Sequence, residues 1–107
     1  MSYSEFNEKV TAFPGLAVVD FYSDSCIPCK RMSPILAAIE QEYPKGLFVA
    51  KVNIAYEEEL VEKYQIRTAP TFLFFKDGKE VERLSGARKK EELVQIIDAI
   101  FAERNEA

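Results

Sequence analysis

Apolar positions along the chain alternate between strand-length runs and stretches with helical spacing. Leu16 to Tyr22 is apolar apart from Asp20, the pattern of a central strand buried on both faces. Leu47 to Asn53 predicts a second strand and Thr71 to Phe75 a third. Asp77-Gly78 is a hairpin-turn signal, so the strand predicted around Val81 to Leu84 runs antiparallel to the one before it. Among the helical stretches, Phe6 and Val10 share one face of a short helix that Ser4 caps and that ends before Pro14-Gly15. From Cys29 onward Met32, Ile35, Leu36, Ile39 and Tyr43 recur at helical spacing, with Pro34 inside the pattern removing one hydrogen bond and predicting a kink. Glu57 to Tyr64 predicts a short acidic helix. Lys89 to Ala102 predicts a last one, its apolar side made by Leu93, Val94, Ile96, Ile97, Ile100 and Phe101. The order α-β-α-β-α-β-β-α predicts an α/β fold, a mixed sheet with helices on both faces.

Composition narrows the picture. The 107 residues carry no repeat, low-complexity tract or linker, so a single domain over residues 1–107 is expected. With 48% hydrophobic residues, a core forms without metal or multiple disulfide staples. Lys and Arg number 14 against 18 Asp and Glu, a net charge of −4, which argues against nucleic acid or an anionic membrane surface as partner. The absence of His and Trp removes the commonest general base and the commonest metal ligand. Apolar runs such as Phe72-Leu73-Phe74-Phe75 are far shorter than the roughly 20 residues that span a bilayer. Met1 to Lys9 has neither the basic start nor the apolar stretch of a secretory signal, so a cytoplasmic location is expected. There, two Cys are normally kept reduced.

Those two Cys carry the chemistry. Cys26-Ile27-Pro28-Cys29 follows the first strand and opens a helix, a context in which the spacing reads as a dithiol redox motif. A helix start offers unpaired N–H groups and a positive dipole end, both of which stabilise a thiolate at Cys26. Residues three apart share a helix face, so Cys29 can attack a mixed disulfide formed by Cys26 and release the reduced substrate. Cys26 is the candidate nucleophile and Cys29 the resolving thiol. Three plainer readings compete. A bridge closing so short a loop stabilises by only about 2 kcal/mol. A zinc site needs four ligands and finds two, with no His to complete the set, so no metal is expected. Two ordinary buried thiols would need neither Pro28 nor the strand-to-helix position. For Asp20, an acid in an otherwise apolar strand, burial predicts a raised pKa suited to general-base work, and a hydrogen-bonded structural acid is the alternative.

Val19-Asp20-Phe21-Tyr22, Cys26-Ile27-Pro28-Cys29-Lys30, Pro34-Ile35-Leu36, Ala69-Pro70-Thr71 and Gly86 together resemble the thioredoxin family, from about Ser4 to Phe101 with no evident insertion. The resemblance implies a thioredoxin-like fold and a protein-disulfide oxidoreductase that takes electrons from a thioredoxin reductase or equivalent donor. It would pass them to disulfides of other proteins as a monomer, with no bound cofactor. Asp20 matches the family's buried carboxylate, which accepts a proton from the resolving cysteine through water. Lys51 matches a lysine close to that carboxylate; its alternative is a solvated strand-edge lysine. Pro70 matches a cis-proline facing the sulfurs, although an X-Pro bond is cis in only about 5–6% of cases. Ala69, which precedes it, and Gly86 with Ala87 match the groove where an extended substrate pairs with backbone. As an alternative, Gly86 simply ends the strand before it.

Departures from the family's pattern bear on recognition. The usual Trp-Cys-Gly-Pro-Cys is replaced by Ser25-Cys26-Ile27-Pro28-Cys29, which puts an exposed branched residue, Ile27, beside the nucleophile; Ser25, Ile27 and Pro28 thus join the candidate substrate contacts. Asp24 opposes a thiolate at Cys26, whereas Lys30 and Arg31 favour one. Only Met1 to Tyr3 precede the first helix, where the family has a strand. A central mixed four-stranded sheet flanked by four helices is therefore expected, with the strand from Leu47 closer to an edge. A binding subunit whose thiols matter less, or a more oxidising disulfide oxidase or isomerase, are the competing functions.

Overall fold

The computed structural model describes residues 2–43 and 45–104; Met1, Pro44 and residues 105–107 of the expected domain lie outside the described residues. Four strands, β1 (Leu16–Tyr22), β2 (Leu47–Asn53), β3 (Thr71–Lys76) and β4 (Lys79–Ser85), form one sheet in the order β2-β1-β3-β4. β1 lies parallel to β2 and antiparallel to β3, and β3 is antiparallel to β4. The mixed sheet and the edge position of β2 are as the sequence predicts.

The central strand explains the two layers. β1 is buried from Leu16 to Phe21, and its side chains alternate between faces. Ala17, Val19 and Phe21 pack with Phe6, Val10, Leu60 and Ile66 on one side. These partners come from the N-terminal helix α1 (Tyr3–Phe6) with its π-helical continuation Asn7–Thr11, from α3 (Glu58–Lys63), and from the segment after it. Leu16 and Val18 point the other way, into a cluster with Met32, Leu36 and Ile39 of α2 (Ile27–Glu42) and Leu93 and Ile97 of α4 (Lys90–Arg104). Each such side chain contributes about 1.5–3 kcal/mol by leaving water, and this holds both helix layers on the sheet. By the same alternation Asp20 projects toward the α2 side, the one charged residue of the strand.

Two local expectations are corrected or sharpened. The first helix is capped by Ser2, not Ser4. Ser2 Oγ accepts from the Glu5 N–H at 3.2 Å while the Glu5 carboxylate accepts from the Ser2 N–H at 3.1 Å. Ser2 has a Glu three residues on, as a reciprocal cap requires; Ser4 has Asn7 there. The second point is α2, which begins at Ile27 with Cys26 as its cap and runs on through Pro34 to Glu42.

At the β3–β4 hairpin, Asp77 (φ 49°) and Gly78 (φ 86°) both take left-handed backbone, the requirement of the tight turn that Asp-Gly predicts. A Cβ on Gly78 would lie 2.3 Å from the Thr11 carbonyl oxygen, so the turn also packs beneath the N-terminal helix. Gly78→Ala is therefore expected to lower stability by about 2 kcal/mol through strain and a displaced backbone, seen as a reduced urea midpoint at unchanged m-value. An unchanged midpoint would show that the contact yields freely.

Candidate functional site

The strand-to-helix junction places the two sulfurs. Cys26 keeps extended backbone (φ −88°, ψ 109°) as the N-cap of α2, and its Sγ accepts the Cys29 N–H at 3.1 Å. One of the helix's unpaired donors thus points at the sulfur that would carry negative charge. Pro28 occupies the first turn, where its missing N–H costs nothing and its ring pre-sets the helical φ. The sulfurs of Cys26 and Cys29 are joined as a disulfide with Cα atoms 5.2 Å apart. Cys26 is half-buried and Cys29 only 3% exposed, so a reactant from solvent meets Cys26 first. Ile27, 63% exposed, stands beside it as an apolar contact.

A second segment closes on Cys26 from the far side. The Ala69–Pro70 peptide is cis, and the Ala69 carbonyl oxygen lies 3.5 Å from Cys26 Sγ. The segment is pinned at both ends. Thr71 Oγ1 donates to the Thr68 carbonyl at 2.7 Å, and the Gly86 N–H donates to the Pro70 carbonyl at 2.8 Å. Gly86 takes φ 86°, which turns the chain out of β4 toward exposed Ala87. Cys26, Ile27, Ala69, Pro70 and Gly86 thus converge from three parts of the sequence. Pro70 itself is buried, which leaves backbone rather than its ring to face a visitor. Ser25, also exposed, shares a hydrogen bond at 3.2 Å with Ser23.

Asp20 lies on β1, the strand that leads into the Cys26–Cys29 turn. It is 1% exposed, and its Oδ1 has no hydrogen-bond partner among the described residues. Burial pushes its carboxyl up from the usual 3.8 to about 6, with the Lys51 charge pulling the other way. Lys51 is its neighbour in register on β2, exposed, with Nζ donating to Ser33 Oγ at 3.0 Å. A cleft of about 180 Å³, room for several waters, is lined by Tyr22, Ser23, Asp24, Cys29, Lys30, Ser33 and Lys51. Asp24 is held by the Asn53 side-chain amide at 3.1 Å.

Ser33 and Asn53 were not legible as site residues in the sequence. Ser33 had one available signal, its place one helical turn after Cys29. A larger groove of about 590 Å³ runs along the open edge of β2 between Lys9, Phe13, Phe48 and Lys51, and its lining includes neither cysteine.

The thioredoxin family model matches residues 1–99. The chain is 36% identical over 98 residues to a thioredoxin of Chlamydia caviae, covering 92% of this chain and 93% of that one. It is 36% identical over 97 residues to a thioredoxin of Chlamydia trachomatis, covering 91% and 92%. To thioredoxin H-type 1 of Nicotiana tabacum it is 41% identical over 95 residues, 89% of this chain and 74% of that one.

Proposed function

The chain belongs to the thioredoxin family and is a protein-disulfide oxidoreductase working by dithiol–disulfide exchange, and from that premise we infer how its own residues divide the work. In the reduced protein the Cys26 thiolate attacks a substrate disulfide. A mixed disulfide forms and one substrate thiolate leaves. Cys29 then gives its proton to Asp20 through water in the cleft and attacks Cys26 Sγ. This breaks the mixed disulfide, forms the Cys26–Cys29 bond and frees the second substrate sulfur as a thiolate, which takes its proton from solvent. Two electrons have passed from the protein to the substrate, both held by sulfur, so the cycle uses no cofactor. The observation that carries this reading is the asymmetry of the pair: the outer sulfur sits at a helix start and takes the Cys29 N–H, while the inner one is sealed against the cleft.

The groove of Ser25, Ile27, Pro28, Ala69, Pro70, Gly86 and Ala87 receives the substrate. An extended segment pairs with backbone at Ala69, and Ile27 supplies apolar contact. Lys51 adds a positive charge at the cleft, which favours the ionised, proton-accepting form of Asp20. The family implies a reductase as electron donor and disulfide-bearing proteins as substrates. We place the chain in the cytoplasm as a monomeric single domain of residues 1–107, with a thioredoxin reductase as donor and neither nucleic acid nor membrane as partner. The net charge of −4 supports the absence of a polyanionic partner. Among the described residues no helix is long and apolar enough to cross a membrane.

The test is the redox equilibrium of the purified protein across dithiothreitol and glutathione buffers, read as the mass added on alkylating free Cys26 and Cys29. A reversible two-electron transition more reducing than the cytosolic glutathione poise is expected. A clearly more oxidising midpoint would reverse the direction to oxidase or isomerase work. If no intramolecular disulfide forms at any poise, the chain acts by binding alone.

A further inference from the structure

Lys51 reaches the cleft on a flexible four-carbon stem from an exposed position on an edge strand, and a lysine so placed normally spends its time in water. Here its ammonium is tied down. Ser33 Oγ accepts from Nζ at 3.0 Å, across from α2 to β2. Ser33 is half-buried and lies one helical turn after Cys29, on the same helix face, so both line the cleft that Lys51 closes from the sheet side. Lys51 is in turn the register partner of Asp20.

We propose that Ser33 is a positioning residue: its hydroxyl anchors the Lys51 ammonium at the cleft between Cys29 and the sheet, and the anchored charge sets how readily Asp20 ionises. A freed ammonium would be hydrated away from the cleft and its pull on Asp20 would weaken. The consequence for catalysis rests on the reading of Asp20 as proton acceptor. The groups that face this acid limit the alternatives. Its register partners are Lys51 on β2 and the uncharged Phe72 on β3, and the titratable groups of the adjoining cleft that Lys51 lines are Cys29 and Lys30 from α2, Tyr22 from β1 and Asp24 from the loop after it. Asp24 is already engaged by Asn53 and carries the wrong sign, and of the two lysines of the cleft it is Lys51 that is paired in register with Asp20, whose charge acts on that acid, and that the Ser33 hydroxyl holds.

The experiment is a titration of the Asp20 side-chain carboxyl carbon by NMR in the oxidised protein, where neither sulfur titrates. Ser33→Ala is expected to raise the Asp20 midpoint by about half a pH unit, the size of one partly exposed charge interaction. Ser33→Thr, which keeps the hydroxyl, should restore the original midpoint. Lys51→Met should raise it at least as far, and adding Ser33→Ala to that variant should change nothing more. An unmoved midpoint in Ser33→Ala, or a shift that persists without Lys51, would overturn the proposal. Alanine is a strong helix former, so the fold of α2 is not at stake. The rate at which the reduced protein resolves a mixed disulfide, followed against pH, separates the two ideas. If the acidic limb moves up with the Asp20 midpoint, both stand. If the midpoint moves and the limb does not, Asp20 is not the proton acceptor, while the anchoring of Lys51 by Ser33 remains.

Discussion

Cys26→Ser is expected to reduce turnover of a protein disulfide by more than about a thousandfold, to the background of free thiol exchange, whereas Cys29→Ser should complete the first step and stop. The difference follows from exposure and order. Cys26 is the sulfur a substrate can reach, and a serine hydroxyl does not attack a disulfide; without it no bond forms. With Cys29 replaced, Cys26 still attacks, the mixed disulfide accumulates, and nothing inside the molecule can break it. Mass spectrometry under non-reducing conditions should then show a one-to-one covalent complex with a model substrate for Cys29→Ser, none for Cys26→Ser, and none for wild type after the reaction is complete. The capped position of residue 26 makes the two variants comparable in fold, because the N–H of residue 29 can donate to a serine Oγ as it does to sulfur. Retained turnover in either variant would end the dithiol mechanism. Complexes trapped through Cys29 instead would invert the assignment of nucleophile and resolver.

Much of the scaffold was legible because its signals are local. A seven-residue apolar run broken by one acid can only be a central strand here, and β1 is that strand, buried on both faces. Asp77-Gly78 specified the hairpin because two consecutive left-handed residues are needed and few pairs supply them. The cysteine spacing and its place at a helix start gave the chemistry. The cis Ala69–Pro70 bond, by contrast, rested on resemblance, since the isomer is decided by what packs around it and not by the dipeptide. The site's second row was less readable still. Lys51 hydrogen-bonds to Ser33 across a gap of eighteen residues, and Asn53 to Asp24 across twenty-nine, contacts that exist only once β2 lies beside β1 and beneath α2. The cap of the first helix failed for a different reason: both Ser2 and Ser4 qualify by type, and only the reciprocal bond from Glu5 decides between them.

Asp20→Asn is expected to make the protein more stable, and increasingly so as the pH rises. The folded-state carboxyl titrates near 6 against an ordinary value of 3.8, so between those values the folded chain holds a proton that the unfolded chain has released. Stability is then lost as pH rises through that window: the cost of burying the charge is absent below about pH 4 and fully present above about pH 6. A carboxyl raised this far carries a full cost of about 3 kcal/mol, and by the same linkage the cost grows by about 2 kcal/mol between pH 4.5 and 7.5. Asparagine has nearly the shape of the protonated acid and never charges. Whatever its amide gains or loses in hydrogen bonds is the same at both pH values, so the difference between them isolates the ionisation. Urea unfolding of the oxidised protein at pH 4.5 and 7.5 reads this directly. The gap between variant and wild type should widen by about 2 kcal/mol toward the higher pH. A gap of constant size would mean that Asp20 ionises as easily inside as outside. A charge kept at this cost in a strand that is otherwise apolar calls for a return in function, and the return expected is proton transfer from Cys29. The more stable variant should therefore resolve its mixed disulfide more slowly near neutral pH, stability and rate moving in opposite directions at one residue.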